Sequence, residues 1–119
     1  MRRGEVYLVD FGTPRGSEPT GVRPALIIQN DIGNDKSPTT IVSVITSSGV
    51  SRVFPVEVLV NPPEGGLDRP SKVDLSQLLT VDKVRAERQL GVLAVKTLRS
   101  VDRALQISLG LPYGPAPPQ

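Results

Sequence analysis

The chain has no cysteine, no histidine and no tryptophan, and only two tyrosines and two phenylalanines among its 119 residues. Without cysteine there are no disulfides and no thiolate metal ligands, and the redox compartment leaves no trace in the sequence. Without histidine the usual general acid/base at neutral pH is missing, together with the commonest metal ligand. With aromatics at 3%, the core must be built from valine, leucine and isoleucine. No stretch is apolar for long enough to serve as a membrane span or a secretory leader, which sets the expectation of a cytoplasmic protein. Strong charge of one sign is lacking too. A formal charge of +2 with a sequence pI near 9.3 permits an anionic partner without demanding one. The basic residues are lopsided in type, ten arginines to four lysines, and arginine is the better match to planar, bidentate phosphate contacts.

What is present reads as strands first and a helix last, within one domain. A chain of this length buries about 60–70% of its unfolded surface, enough for one modest core. Glu5 to Phe11 alternates polar and apolar residues as a half-buried strand does. The stretch Gly16 to Asp31 (GSEPTGVRPALIIQND) organises the rest. Its first half is a polar, glycine-containing loop ending in Arg23, and its second, Pro24 to Ile28, is an apolar run. Proline pushes the residue before it into extended conformations, so Arg23 should stand extended at the mouth of a strand over Pro24 to Gln29. Asn30 to Pro38 is rich in turn residues. Thr39 to Thr46 is dense in β-branched side chains and predicts a third strand. After a polar turn at Ser47 to Ser51, Val53 to Val60 contains Pro55, which lacks a ladder donor and argues for an edge strand or a bulge. Asn61 to Pro70 reads as a loop, and Ser71 to Asp82 resumes strand-like alternation. From Ala94 on, Val95, Leu98, Val101, Leu105 and Leu109 recur at three- and four-residue steps, as in an amphipathic helix. Gly110 stands where a C-cap glycine belongs, with Pro112 two residues later. These elements suggest a mainly β domain, a small open barrel with the helix packed outside it.

Several segments carry more than pattern. RRGEVY (from Arg2), GSEPTGVRPALIIQNDIGN (from Gly16), SPTTIVSVIT (from Ser37), SQLLTVDK (from Ser76) and LQISLGL (from Leu105) resemble the MazF/PemK family of toxin endoribonucleases. The likeness runs from about Arg2 to Leu111, and the GVRP and QND segments are specific to that family in this arrangement. The resemblance implies an SH3-like barrel with a C-terminal helix, spanning residues 1–111, assembled as a homodimer. Residues 112–119 then form a proline-rich tail, expected to be disordered. It also implies metal-independent cleavage of single-stranded RNA at short motifs, without a cofactor, and neutralisation by a cognate, MazE-like antitoxin. Neither membrane nor DNA binding by the chain itself is expected.

By the same resemblance, Arg23 occupies the catalytic arginine position and Thr46 the catalytic threonine. Ser17 matches a serine of the loop lining the RNA groove, Gln77 matches a base-contacting residue, and Glu18 fits the pattern as loop-orderer or substrate contact. Each also has a plainer reading: Arg23 as a surface charge, Thr46 as an ordinary strand residue, Ser17 and Glu18 as turn formers, Gln77 as a solvated strand side chain. Asn30 and Asp31 read as turn formers, and Arg85, Arg88, Arg99 and Arg103 as a solvated face that could meet an acidic antitoxin segment. Leu79 replaces a basic residue of many relatives and Ser76 an acidic one of some, which bears on the cleavage motif and not on the reaction. Phe54 and Tyr7 are almost the only candidates for base stacking, so readout led by hydrogen bonds is expected. Two other classes resemble the same fold. One is a gyrase-poisoning toxin that binds and does not cleave, whose action depends on a C-terminal tryptophan lacking here. The other is an inactive interaction module, against which the arginine and threonine argue.

Overall fold

Six segments rich in valine, leucine and isoleucine pair into one antiparallel sheet in a computed structural model that describes residues 1–13 and 16–112. They are β1 (Glu5–Asp10), β2 (Val22–Ile27), β3 (Thr39–Thr46), β4 (Glu57–Val60), β5 (Ser71–Asp82) and β6 (Ala86–Val92), in the order β4-β5-β3-β2-β1-β6. Two helices complete the chain, α1 (Asp31–Lys36) and α2 (Val95–Leu109). The mainly β class with a C-terminal helix matches the expectation. The barrel is not closed: β4 and β6 stand at the two ends of the strand order and are not paired with each other. β4 is only four residues long and follows Pro55, so it makes a blunt edge.

Alternation within the strands places side chains on both faces of the sheet, and both faces are covered. On one face Val6, Leu26, Ile45, Val58, Val60, Val73 and Leu75 pack with Val101 and Ala104 of α2. On the other, Val9, Ala25, Ile27, Val42 and Val81 are joined by the partly buried Met1, Tyr7 and Phe11. Neighbouring Leu26 and Ile27 serve opposite cores, both fully buried. Of the helix stripe, Leu98, Val101 and Leu105 face the core, whereas Val95 and Leu109 are exposed at its ends. Helix α2 ends as expected: Gly110 is left-handed, and the amides of Gly110 and Leu111 donate to the carbonyls of Ile107 and Gln106. No described helix is long and apolar enough to cross a membrane.

Four expectations change, the first being that the strand expected over Val53–Val60 spans only Glu57–Val60, with the Glu57 amide closing a turn onto the Phe54 carbonyl. The segment Asn30–Pro38 is not only a turn, because α1 forms within it. Asn30 is its N-cap, its side chain accepting from the Gly33 amide at 2.8 Å; the residue types that favour turns also favour helix N-termini. The Asn61–Pro70 loop contains one 3₁₀ turn at Glu64–Gly66. β6, absent from the sequence reading, is an edge strand whose residues are all exposed or half-buried, so it carries no apolar alternation. The expected tail falls mainly on residues 113–119, outside the described ones.

Candidate functional site

The cleft around Arg23 begins with a proline in a central strand. The β2–β3 ladder runs Ile27↔Val42, Leu26↔Ser43, Ala25↔Val44, and stops there. The next residue of β2 is Pro24, which has no amide to donate, so beyond it the two strands part. Arg23 and Pro24 on one side, and Ile45 and Thr46 on the other, become the walls of a cleft of about 370 Å³. Ser47 and Ser48 continue the β3 wall, and Leu67, Asp68, Arg69 and Ser71 close the cleft from the loop before β5. That loop is held down by a close backbone approach: a Cβ at Gly91 of β6 would stand 2.6 Å from the Gly65 carbonyl carbon.

Inside the cleft Arg23 and Thr46 are each partly committed to the protein. Arg23 donates from Nε to the Thr20 carbonyl at 3.1 Å, and no protein partner takes its two terminal nitrogens among the described residues. Thr46 Oγ1 accepts from the Ser48 amide at 3.1 Å. Accepting there uses one lone pair and leaves the hydroxyl proton available to donate. Fixed donors of this kind, facing one concave surface, suit an anionic oxygen on which charge develops. Asp68 and Arg69 carried no signal in the sequence. Their place in the cleft follows from the fold-back of the 61–70 loop.

Ser17, Glu18 and Gln77 come together elsewhere. With Pro19, Ser76, Leu78 and Leu79 they line a second cleft of about 420 Å³ that shares no residue with the first. The five residues named from the sequence thus fall into two groups, Arg23 with Thr46, and Ser17 and Glu18 with Gln77. Gln77 owes its position to a bulge. Ser43 pairs with Leu78, but Val44 pairs with Asp74, so Leu75, Ser76 and Gln77 are looped out of the β3–β5 ladder. Leu75 turns into the core, and Asp74 organises the rest. Its carboxylate accepts from the amide and hydroxyl of Ser76 and from Gln77 Nε2. Asp74 was not singled out in the sequence; nothing short of the register break would have revealed it. The Ser17–Glu18 loop is fastened at its base, where the Phe11 amide donates to the Gly21 carbonyl and the Gly21 amide to the Gly12 carbonyl, each at 2.9 Å.

Neither aromatic candidate lines either cleft. Tyr7 packs against the second core. Phe54 lies under the guanidinium of Arg52, 4.9 Å from its ring centre. Beside it, Lys72 and Glu57 form a buried ion pair at 3.0 Å, each side chain 9% exposed. Lys72 also donates to the Arg52 carbonyl and Glu57 accepts from the Phe54 amide. Lys72 stands opposite Thr46 in the β3–β5 register, so this pair anchors the loop that leaves the cleft wall.

The QND segment is structural. Gln29 donates to the Thr39 carbonyl, and Asn34 donates to the Gln29 carbonyl and accepts from Thr40. Lys83 donates to the Asn34 carbonyl. Asp31 accepts from the Arg3 amide at 2.7 Å and from Asn34, and pairs with Arg2. The Arg3 amide, then the Asn34 side chain, hold its carboxyl below the usual carboxylate range.

A family model described as PemK-like, MazF-like toxin of type II toxin–antitoxin system matches residues 2–109. An endoribonuclease MazF of Staphylococcus saprophyticus is 44% identical over 111 residues, covering 93% of this chain and 92% of that protein. A mycobacterial endoribonuclease solved in complex with its cognate antitoxin superposes with a TM-score of 0.80 at 26% identity, over 96% of this chain and 99% of that one. MazF from Deinococcus radiodurans shares the fold, with a TM-score of 0.78 at 23% identity over 92% of this chain and 96% of that one.

Proposed function

The chain belongs to the PemK-like, MazF-like toxins of type II toxin–antitoxin systems, and from that membership we propose that it cuts single-stranded RNA in the cleft opened at Pro24. It is a toxin endoribonuclease, as its 44%-identical relative is named. What supports this reading most is that Arg23 of β2 and Thr46 of β3, the next strand in the chain, line one cleft.

The reaction uses a nucleophile the substrate brings. The 2′-hydroxyl oxygen of one ribose attacks the adjacent phosphorus, the bond to the 5′-oxygen breaks, and the products are a 2′,3′-cyclic phosphate and a 5′-hydroxyl. The 2′-proton leaves as the bond forms and the departing 5′-oxygen takes one up. The protein supplies orientation and charge. The two free nitrogens of Arg23 fork onto the non-bridging oxygens, and the Thr46 hydroxyl donates to the same phosphate. Arginine stays charged at every working pH, which suits it to this electrostatic role and makes it a poor general base. Ser17, Glu18 and Gln77 form a separate subsite that reads bases by hydrogen bonds, with Asp74 holding Gln77 in place. No step calls for a metal ion or cofactor. The working unit is residues 1–111, acting in the cytoplasm as a homodimer. A cognate antitoxin, acidic and disordered when free, neutralises it by wrapping the groove as it folds.

The test is Arg23→Ala against wild type on a long single-stranded RNA. Arg23 is exposed, so the variant should keep its fold by circular dichroism and lose detectable cleavage. An alanine variant that cuts at the wild-type sites removes Arg23 from the mechanism.

A further inference from the structure

We propose that Arg69 is a second RNA-binding arginine of the cleft, holding the phosphate next to the one that is cut; the inference rests on the RNA-cleaving reading given above. Arg69 lines the same cleft as Arg23 and Thr46 but enters it from the loop before β5. Its anchoring repeats that of Arg23. Nε is spent on the protein, here on Asp68 Oδ1 at 3.2 Å, and no described residue takes the two terminal nitrogens. The backbone beneath it is pinned, since Ser71 Oγ donates to the Arg69 carbonyl at 3.0 Å. Arg3 shows what a structural arginine looks like in this chain: Nε donates to the Ile28 carbonyl, just past β2, and a terminal nitrogen to Asp102 of α2, tying two distant segments together. Arg69 ties nothing together, because its one side-chain partner is its own neighbour in sequence.

Among the described residues the cleft is lined by two guanidinium groups and one carboxylate, Asp68, which one of them already engages. Two forks carried on separate elements of one cleft can each take a phosphate of a single strand. Arg23 stands across the cleft from Thr46 and takes the scissile phosphate with it. Arg69 takes a neighbouring phosphate, which carries the same charge before and during the reaction. Its contact is equal in ground and transition states, so its loss should raise KM and leave kcat near the wild-type value.

Each lysine or arginine neutralising one phosphate of a single strand contributes about 0.7 to the slope of log affinity against log salt. The experiment measures that slope for wild type, Arg69→Gln and Arg69→Lys on a mixed-sequence 2′-fluoro RNA, which lacks the nucleophile and keeps every phosphate. Arg69→Gln should flatten the slope by about 0.7, while Arg69→Lys, which keeps the charge, should retain it at weaker affinity. Melting temperatures should coincide, because the Arg69 side chain is 67% exposed. An unchanged slope in Arg69→Gln, or a wild type that does not bind the strand, overturns the proposal. So does a fall in kcat at constant KM on cleavable RNA, which would move Arg69 to the scissile phosphate. A wild type that binds with the expected difference but cuts no RNA would instead sink the nuclease reading and leave Arg69 as a phosphate contact.

Discussion

Thr46 shows how a single hydrogen bond decides what a residue can do. The Ser48 amide donates to its oxygen, which leaves the hydroxyl proton available to a ligand in the cleft that Thr46 lines. Thr46→Val keeps the β-branched shape and removes that donor, so it should lower kcat by about 100- to 1,000-fold, the range seen when one such donor is lost. Single-turnover cleavage checks this, and Thr46→Ser should restore most of the rate. Arg23→Lys should recover little, since lysine offers a point charge without a fork. Asp74 acts at one remove, through Gln77. Asp74→Ala should redistribute cuts among sites, measured by fragment mapping, while a site cut by both proteins keeps its kcat. Arg23 and Thr46 were legible in the sequence because short motifs surround them. Asp68, Arg69 and Asp74 were not, because a loop fold-back and a register break bring them to the clefts, and neither leaves a local pattern.

Among the elements, β2 and β3 matter most, and where they part matters more than where they pair. β-branched density made β3 legible to the residue and alternation did the same for β5, while Gly110 marked the end of α2. The splay at Pro24 was not legible, since it needs the knowledge that β2 lies between two strands. β6 stayed hidden because an exposed edge strand has no buried face to impose alternation. The loop leaving β3 depends on the Lys72–Glu57 pair. Glu57→Ala strands a buried ammonium and should destabilise the fold by about 3–5 kcal/mol. Replacing both partners by leucine and methionine should be close to neutral, since no uncompensated charge then remains. Urea midpoints of the single and double variants check both outcomes. A single variant as stable as wild type would show that the pair is not buried in solution.

At the scale of the whole molecule, the sheet is held between two cores, and its N-terminus is strapped across α1 and α2. Leu26→Ala opens a cavity in the larger core and should cost about 2–5 kcal/mol in a denaturant titration. The strap responds to pH through Asp31. Its carboxyl is held below the usual range in the fold, so it lends stability that is present above about pH 4 and lost as pH falls through the folded value. Wild type should therefore lose stability on acidification more steeply than Asp31→Asn, as urea midpoints across the acid range would show. Composition and alternation conveyed the class of the whole, mainly β with a terminal helix. The order of the strands was beyond them, because it depends on which edges find partners across the chain. The proposed activity depends on a cleft that lets RNA attack itself. The measurement that tests this most directly is the chemistry of the fragment ends after incubating purified protein with a long single-stranded RNA in excess EDTA. Defined fragments ending in 2′,3′-cyclic phosphate and beginning with 5′-hydroxyl are the predicted result. Intact RNA, or fragments carrying 5′-phosphate, would contradict it.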